Sequence, residues 1–383
     1  MRILIIRNSP SYMDVQYNTY NIQEVGLAKA LVRKGQCCDI LFWTNNKEKD
    51  ISIPVDNIGE ITVYYRHGIS ILKNAIYFNC KKMFQAYDIL QTAEYNQLQS
   101  WLLAKNYAQK TVIYHGPYFS EFNKKYNLMC KVFDVFFLNL YKKRKIKFIT
   151  KSDKAQRFLI DKGIDPQNIE SIGVGIDAQM LVSGDALCEE PLYLRMKEDK
   201  STVKILYIGR IEERRNILFL LDVVSDVYKI YKDVKLYVIG TGNQMYLDRV
   251  RIHAKNLGIE DIIVWQEKMQ QKYLSHIYNM ADFFLLPTEY EIFGMVLLEA
   301  MYYKTVVLTT DNGGSMTLIN NSQNGFVLKD MNSKIWAECL VNIKQDSENM
   351  KAIQEKAYNT IRDTFTWDAL VDKFIVQYQN LLN

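Results

Sequence analysis

The sequence that decides the fold is Glu291-Ile292-Phe293-Gly294-Met295-Val296-Leu297-Leu298-Glu299. It carries two carboxylates eight positions apart. The apolar run before it, residues 281–288, is typical of a buried strand that ends at a proline, and the run after Phe293 is typical of a helix. Glu291 would therefore lie at the carboxyl end of a strand, where open α/β sheets bind ligands. Glu299 would lie on the helix that follows.

The turn between this strand and this helix is suited to an anion. Gly294 lets the backbone approach a ligand closely, and the free N–H groups of the turn from Phe293 to Met295 favour negative charge. A carboxylate such as Glu299 can accept two hydrogen bonds from neighbouring hydroxyls, as a ribose would offer. An ordinary strand–turn–helix with solvated glutamates would have the same appearance, since short motifs often match by chance. The rest of the chain has to distinguish between these two interpretations.

The length and composition predict two globular domains. The chain has 383 residues, of which 48% are hydrophobic and 24% charged, enough for full cores in a typical globular protein. Strands alternate with helical patterns in both halves, which predicts parallel sheets built from βαβ units. We predict an N-terminal domain over residues 1–180, a linker over 178–200, a C-terminal domain over 200–365 and a final helix over 368–383.

The predicted strands form two series. Those of the first half are 3–6, 39–43, 61–65, 89–92, 111–114 and 148–150, and those of the second half are 204–208, 235–239, 261–265, 283–286 and 306–309. The fold class expected from this order is α/β, with two Rossmann-like doubly wound parallel sheets. The carboxyl ends of their strands would face a central cleft.

Several classes of protein and of site are not expected. The six cysteines have no Cys-x-x-Cys spacing, so we interpret them as reduced thiols in a cytosolic protein. The four histidines lack zinc spacing and Asp-x-Asp does not occur, so we predict neither a metal nor a resident cofactor. The basic residues form no long stripe, which argues against nucleic-acid binding. No uncharged apolar run approaches the roughly 20 residues of a membrane-spanning helix.

One segment leaves contact with a membrane surface open. An apolar and aromatic stretch at 132–141 runs into a basic cluster at 141–147. Such a pairing could lie on an anionic membrane surface. The alternative is a helix that packs on the core and ends in a solvated basic turn.

Further motifs follow other predicted strands. The first strand of the second half ends in Tyr207-Ile208-Gly209-Arg210-Ile211-Glu212-Glu213-Arg214-Arg215-Asn216. A glycine loop with Gly240 follows the strand at 235–239, and Gly313 and Gly314 follow the strand at 306–309. In the first half, His115 follows the strand at 111–114.

These motifs, in this order, resemble those of retaining glycosyltransferases with the two-domain GT-B fold, in particular family 4, the glycosyl transferases group 1. The pair Glu291 and Glu299 is similar to the Glu-x7-Glu signature of that family. Arg210 matches the arginine of a family segment that begins Gly-Arg and ends Lys-Gly, whereas Arg215 stands where the lysine is usual and Asn216 where the glycine is usual. The resemblance is specific over residues 204–328 and diffuse elsewhere.

The resemblance implies a role for each residue. Arg210 and Arg215 would stabilise the departing diphosphate, and an arginine can do this with a bidentate fork. Glu299 would bind the ribose, Glu291 would orient hydroxyls of the donor sugar, and His115 would contact the sugar or the acceptor. Backbone or side-chain contacts to the nucleotide sugar are expected from Gly209, Gly240, Trp265, Phe293, Gly294, Met295, Gly313 and Gly314.

The chain also departs from the family pattern. Thr317 replaces a common glutamate, and the loop at residues 8–20 lacks the usual glycine pair. That loop is either an acceptor-binding loop or a plain surface loop, and Glu94 is a second candidate acceptor contact. The last helix would cross back onto the first domain, as the family implies.

The implied function is transfer of a sugar from a nucleotide-diphosphate sugar to a hydroxyl acceptor with retention of configuration. The acceptor expected from family habit is a lipid-linked oligosaccharide in bacterial surface polysaccharide synthesis. The expected location is the cytoplasm, with the inner face of the cell membrane as an alternative. Two other functions stay open, a non-catalytic GT-B partner of another transferase and a GT-B sugar-nucleotide epimerase.

Overall fold

The computed structural model describes residues 1–9, 15, 22–71, 74–181 and 188–383. The chain divides into two compact units. The N-terminal unit consists of Met1–Asp177 and Phe365–Asn383, and the C-terminal unit consists of Ala178–Thr364.

The N-terminal unit is built on a mostly parallel sheet. Its strands are β1 (Arg2–Ile6), β2 (Cys37–Trp43), β3 (Lys49–Val55), β4 (Gly59–Arg66), β5 (Ile69–Ile71), β6 (Asn74–Ile76), β7 (Ile89–Ala93), β8 (Thr111–His115), β9 (Lys147–Thr150) and β10 (Ile169–Ser171). The main sheet has the order β10-β9-β8-β7-β1-β2-β4-β3, and β5 and β6 form a separate antiparallel pair. Neighbours in the main sheet are parallel except for β3 and β4.

Helices cover this sheet and bury its apolar strands. They are α1 (Gln23–Arg33), α2 (Lys81–Ala86), α3 (Leu98–Asn106), α4 (Lys124–Phe136), α5 (Leu138–Arg144) and α6 (Asp153–Asp161). One core cluster gathers around Leu4, Leu41 and Leu90, and a second gathers around Ile113 and Phe148. Burial of the parallel strands explains why they read as continuous apolar runs in the sequence.

The edge strand β3 is absent from the predicted set. It pairs antiparallel with β4 through a tight turn at Asp56 and Asn57, which have φ angles of +47° and +57°. Pro54 lies within β3, and a proline inside a run argues against a central strand because it cannot donate to the ladder. An edge position tolerates it, and only the fold reveals that position.

The C-terminal unit is a second parallel sheet with helices. Its strands are β11 (Val203–Ile208), β12 (Val234–Ile239), β13 (Ile263–Gln266), β14 (Phe283–Leu286), β15 (Val306–Thr309) and β16 (Phe326–Val327), in the order β13-β12-β11-β14-β15-β16. Its helices are α7 (Ala178–Leu181), α8 (Pro191–Glu198), α9 (Ile217–Ile230), α10 (Gln244–Asn256), α11 (Gln271–Met280), α12 (Met295–Tyr302), α13 (Gly313–Leu318), α14 (Ser333–Gln345) and α15 (Ser347–Thr364). All strand pairs are parallel.

This unit begins at Ala178, ahead of the predicted domain start at residue 200. The reason is α8, which packs on α11 and brings the ring of Tyr193 within 5.2 Å of that of His276. Part of the predicted linker, residues 182–187, lies outside the described residues.

The last helix, α16 (Trp367–Leu382), belongs to the N-terminal unit. The Tyr378 hydroxyl donates a 2.6 Å hydrogen bond to Gln91 on β7. The ring of Trp367 lies against Gly26 of α1, where an added Cβ would come within 2.2 Å of the indole nitrogen. The N-cap of α16 is Thr366, which accepts from the Ala369 N–H.

The α/β class with two doubly wound parallel sheets is therefore confirmed. The cleft expected between the two domains stays a prediction. Across the described ranges, no helix combines the length and apolar character that crossing a membrane requires.

Candidate functional site

The order of strands in the C-terminal unit creates a ligand-binding position at the edge of its sheet. β11 lies between β12 and β14, so the loops that leave β11 and β14 run to opposite sides of the sheet. Ligands bind outside the carboxyl ends of the strands at such a switch point. Arg210 follows β11 here, and Glu291 follows β14.

Hydrogen bonds hold these two loops together. The Glu289 N–H donates to the Arg214 carbonyl oxygen at 3.0 Å, and Arg214 Nη1 donates to the Tyr290 carbonyl oxygen at 2.6 Å. Asn216 Nδ2 donates to Glu289 Oε1 at 2.9 Å. The two loops that lead into the separate sequence motifs are thus joined directly to each other.

An ion pair joins the two motifs at their centre. Arg215 Nη1 contacts Glu291 Oε2, and the two side chains are 12% and 15% exposed. Arg215 Nε is buried and has no hydrogen-bond partner among the described residues. A guanidinium with an unused buried donor is suited to an anionic ligand, because charged groups need compensation in a buried setting.

Arg210 lies in the same loop but in a different environment. Its residue is exposed, and its side chain makes no hydrogen bond or ion pair to any residue that the structure describes. The Tyr207 hydroxyl donates to the Arg210 carbonyl oxygen at 2.7 Å, which fixes the backbone. The structure therefore brings Arg215 and Glu291 into contact and places Arg210 next to β11 with a solvated guanidinium.

The backbone at Asn216 explains why glycine is usual at this position in the family. Asn216 has φ +52° and ψ +47°, the left-handed conformation, immediately before α9. Glycine adopts this conformation without a steric penalty, and asparagine is among the few other residues that visit it routinely. Asn216 therefore preserves the turn that positions Arg215.

Glu299 is buried on α12 and is held by a tyrosine that sequence reasoning missed. The carboxylate is 3% exposed and accepts a 2.8 Å hydrogen bond from the hydroxyl of Tyr278 on α11. The Tyr278 ring stacks on Tyr303, with centroids 5.7 Å apart. No sequence signal linked Tyr278 to the motif, because it lies 21 residues away. Ribose binding by Glu299 stays a prediction.

The turn before α12 contains Gly294 in the left-handed conformation. This glycine has φ +80° and is the N-cap residue of α12. Phe293 is buried at 2% exposure, and Met295 is half-buried. The contacts of these three residues with a ligand stay predictions.

The other predicted glycines are required by packing between loops. A Cβ on Gly314 would lie 1.6 Å from the Phe293 carbonyl oxygen, and one on Gly240 would lie 1.9 Å from that of Gly209. The Gly313 N–H donates to the Glu291 carbonyl oxygen at 3.0 Å. The backbone that approaches Gly240 and Gly314 is that of neighbouring loops, and the contacts of these glycines with a ligand stay predictions.

Two further positions complete the C-terminal unit. Trp265 is half-buried on the edge strand β13, next to Val238 of β12 in register. Its predicted contact with the nucleobase stays a prediction. Thr317, at the position where the family has a glutamate, donates its hydroxyl to the Gly313 carbonyl oxygen at 3.1 Å within α13.

Three neighbouring strands of the N-terminal unit carry a second polar cluster. Glu94 follows β7, His115 ends β8 and Lys151 follows β9. His115 Nδ1 lies 2.7 Å from Glu94 Oε2, which also accepts from the Gly116 N–H at 3.1 Å. Lys151 Nζ lies 3.7 Å from Glu94 Oε1. Glu94 has φ +58°, which is unusual for a residue other than glycine and is found at functional sites.

The charges of this cluster stabilise an ionised Glu94. Burial raises the pKa of its carboxyl, but the Lys151 ammonium and the hydrogen bonds from His115 and the Gly116 N–H lower it more. The net pKa lies below the ordinary value of 4.5. Glu94 is therefore a carboxylate that orients the imidazole of His115.

His115 itself is fully buried. Its residue has 0% exposure, and its ring packs against Tyr95 and Phe158 at centroid distances of 5.2 and 5.8 Å. Nε2 is buried without a hydrogen-bond partner among the described residues. A ligand contact through this imidazole stays a prediction, and in this structure the ring has no exposed surface. Glu94 binds His115 and the Gly116 N–H, and its contact with an acceptor stays a prediction.

The predicted acceptor loop at residues 8–20 lies outside the described residues, except for Asn8, Ser9 and Val15. Asn8 is buried, and its Nδ2 donates to Gln97 Oε1 at 2.6 Å and to Thr92 Oγ1 at 3.2 Å. Within the described part of the chain, no three His, Cys, Asp or Glu side chains form a group that could hold a metal ion.

Comparison with known proteins relates the C-terminal unit to a protein family. Residues 195–360 match the family model of the glycosyl transferases group 1. The C-terminal unit belongs to this family. A D-inositol 3-phosphate glycosyltransferase of Segniliparus rotundus is 25% identical to the chain over 221 residues, which are 57% of this chain and 48% of that protein. The chain spans about half the length of the curated relatives that it matches.

Solved structures extend the likeness from the group 1 unit to the whole chain. A glycosyltransferase from Rickettsia africae matches with a TM-score of 0.73 at 20% identity, over 100% of this chain and 98% of that chain. Anabaena HepE, crystallised with UDP and glucose, matches with a TM-score of 0.70 at 15% identity, over 99% of this chain and 100% of that chain. Both likenesses show that the chain has the GT-B fold.

Proposed function

We propose that this protein is a retaining glycosyltransferase that moves a sugar from a nucleotide-diphosphate sugar to a hydroxyl acceptor. The observation that carries the proposal is the contact between Arg215 and Glu291 where the loops after β11 and β14 meet. A diphosphate needs paired positive charge, and Arg215 and Arg210 supply two guanidinium groups in one loop. Membership of the group 1 family supports the same assignment.

Each side chain has a distinct task in the proposed reaction. Arg210 and Arg215 hold the diphosphate and neutralise the charge that builds on it as it leaves. Glu299 accepts hydrogen bonds from the ribose, and Glu291 accepts them from hydroxyls of the donor sugar. The bond between the sugar and the diphosphate breaks, the acceptor oxygen bonds to the same face of the sugar, and the leaving phosphate takes the acceptor proton. No protein base and no metal is part of this proposal.

The chemistry of the donor is supported by the relatives. HepE was crystallised with UDP and glucose, and several curated relatives are glycosyltransferases or glycogen synthases. We therefore place the donor in the class of nucleoside-diphosphate hexoses. Addition of EDTA should leave transfer unchanged, because the arginines supply the positive charge.

The acceptor and the location are finer parts of the proposal. We propose a lipid-linked oligosaccharide as acceptor, a role in bacterial surface polysaccharide synthesis and a location in the cytoplasm at the inner face of the cell membrane. An exposed apolar and basic surface on α4 supports this choice, because such a surface suits a protein that meets its acceptor at a membrane.

The experiment uses the purified chain with UDP, GDP and ADP sugars. A thermal-shift screen first selects the donor, because a ligand that binds the native state raises the melting temperature. Transfer and donor hydrolysis are then measured for the wild type and for Arg210→Ala. The matched control is Arg251→Ala, which removes an exposed arginine of α10 from the same unit.

We expect Arg210→Ala to reduce transfer by about 100-fold or more, as loss of an electrostatic contact to the leaving group does elsewhere. Arg251→Ala should leave transfer unchanged. Near wild-type transfer by Arg210→Ala would remove the phosphate role. A chain that neither transfers nor hydrolyses any donor would instead be a non-catalytic partner, and an altered sugar nucleotide formed without acceptor would reveal an epimerase.

A further inference from the structure

Helix α4 has two apolar faces, and only one of them packs on the protein. Cys130 and Phe133 point into the core cluster of the N-terminal unit and are 3% and 5% exposed. On the other side lie four exposed apolar residues, which we call the outer α4 face: Leu128 (63% exposed), Val132 (53%), Val135 (77%) and Phe136 (71%).

The spacing of these four residues makes the outer α4 face continuous. They follow each other at intervals of four, three and one positions, so they share one side of a helix with 3.6 residues per turn. Phe119 and Phe122, in the segment that leads into α4, are also 60% and 46% exposed. Monomeric soluble proteins seldom expose a contiguous apolar surface without using it to bind something.

Basic residues border this apolar surface. Lys124 and Lys125 lie at the N-terminal end of α4, and Lys131 lies along one edge of the outer α4 face, all of them exposed. A further basic group at 142–145 ends α5. The acidic residue of α4, Asp134, is paired with Lys162. The surface therefore presents apolar side chains bordered by lysines, with one exposed carboxylate, Glu121, beside Phe122.

The residues that form this surface differ from the apolar stretch noted in the sequence. The apolar stretch at 132–141 is not one exposed face, because Leu138 and Tyr141 are buried at 6% and 1% exposure. Leu128, which lies before that stretch, joins the outer α4 face. The exposed surface is thus a single helix flank, continuous in space, and not a continuous piece of sequence.

We propose that the outer α4 face docks on an anionic lipid bilayer. Leu128, Val132, Val135 and Phe136 would enter the boundary between headgroups and acyl chains, and the lysines would contact anionic headgroups. The charge favours a bilayer over a protein partner, since protein interfaces are depleted in lysine. Lysines at the edge of an apolar helix face suit a membrane, where their stems lie along apolar surface and their ammonium groups reach water. This inference names the surface behind the membrane location that is part of the proposed function, and its test does not depend on sugar transfer.

The test is sedimentation of the full chain with vesicles, without donor or acceptor. One set of vesicles contains phosphatidylcholine alone, and the other contains phosphatidylcholine and phosphatidylglycerol in equal parts. The test variant is Val135→Glu/Phe136→Glu, and a second variant is Lys124→Gln/Lys125→Gln/Lys131→Gln. The matched control is Val376→Glu, which places a carboxylate at a 49% exposed valine of α16 in the same unit.

The wild type should bind the anionic vesicles and should bind phosphatidylcholine more weakly. The Glu variant should bind anionic vesicles about tenfold or more weakly, because it removes apolar groups that would enter the bilayer and adds negative charge. The Gln variant should lose the preference for anionic lipid, and Val376→Glu should behave as the wild type. All changed positions are exposed, so the melting temperature should stay within a few degrees and will show whether each variant is folded.

Three results would overturn the inference. The first is a wild type that binds neither kind of vesicle, and the second is a Val376→Glu control that loses as much binding as the Glu variant. The third is a wild type that self-associates through this surface, seen as a larger mass by light scattering that falls to the monomer mass in the Glu variant. That outcome would assign the surface to a second copy of the chain. Since no sugar nucleotide is present, failure here would leave the proposed sugar transfer untouched and would remove the support for a location at the membrane.

Discussion

The Tyr278 hydroxyl donates a hydrogen bond of 2.8 Å to Oε2 of Glu299, and both side chains are buried. Tyr278 lies on α11 and Glu299 on α12, the helix that begins in the nine-residue motif. The carboxylate predicted to bind ribose is therefore oriented by a residue outside the motif. A buried carboxylate of this kind is stable only if hydrogen bonds compensate its charge.

Tyr278→Phe should lower both the stability and the donor affinity of the protein. Loss of a hydrogen bond to a buried charged group costs about 1.5–3 kcal/mol. Donor binding should weaken as well, because Glu299 is less well oriented. Thermal melting with and without UDP measures both effects. Tyr273→Phe is the matched control, since its hydroxyl lies on the same helix and makes no hydrogen bond to a described residue. Equal melting temperatures for Tyr278→Phe and the wild type would contradict this prediction.

Glu291→Gln should bind a nucleoside diphosphate more tightly than the wild type while transferring sugar more slowly. Glu291 contacts the guanidinium that the diphosphate would use. Removal of that carboxylate frees Arg215 and removes the repulsion between Glu291 and the diphosphate. This repulsion is on the order of 1 kcal/mol, which corresponds to a several-fold change in the dissociation constant. Titration calorimetry with UDP measures the gain, and the transfer assay measures the loss.

The control for Glu291→Gln is Glu289→Gln, which changes the net charge equally at an exposed position of the same loop. The glutamine at position 289 can still accept from Asn216. Glu289→Gln should leave the affinity for UDP close to that of the wild type. Unchanged or weaker binding of UDP by Glu291→Gln would show that Glu291 and the diphosphate do not compete for Arg215.

Asn216→Ala should destabilise the protein more than Asn216→Gly. Both variants lose the hydrogen bond to Glu289, but only alanine meets the steric penalty of the left-handed conformation. That penalty is about 1–2 kcal/mol. Urea unfolding followed by tryptophan fluorescence gives the difference in stability between the two variants. If alanine were as well tolerated as glycine, the turn at residue 216 would have to differ from the one described here.

Glu94→Gln should make the stability of the N-terminal unit less sensitive to acid. The folded-state pKa of Glu94 is lowered, so its ionised form contributes stability that is present above the ordinary value of 4.5 and is lost as the pH falls through the lower folded value. The wild-type melting temperature should therefore fall more between neutral pH and pH below 4.5 than that of Glu94→Gln.

The measurement is a pair of thermal scans for each protein, with Asp161→Gln as a control. Asp161 is an acidic residue of α6 in the same unit whose carboxylate makes no ion pair or hydrogen bond to a described residue. Its variant should keep the wild-type acid sensitivity. A parallel fall in the wild type and in Glu94→Gln would mean that Lys151, His115 and the Gly116 N–H do not stabilise the charged form of Glu94.

The sequence alone predicted most of the fold because burial produces strong local patterns. Parallel strands covered on both faces appear as short apolar runs, and β11, β12, β14 and β15 were all located this way. β3 was missed because its edge position permits a proline and polar residues. Of the candidate site, the sequence located the loops after β11 and β14, since glycines and charged residues at strand ends are unusual enough to notice.

Contacts between distant segments could not be predicted. Arg215 and Glu291 are 76 positions apart, and their contact depends on the strand order that makes β11 and β14 neighbours. The burial of His115 likewise depends on Tyr95 and Phe158, which come from two other segments. The amino-acid sequence by itself determined which residues form strands and helices and which charged groups stand at strand ends. Only the tertiary structure decided which of those groups are in contact and which are buried. These contacts depend on packing between distant segments, and the local sequence pattern of one segment contains no information about the other.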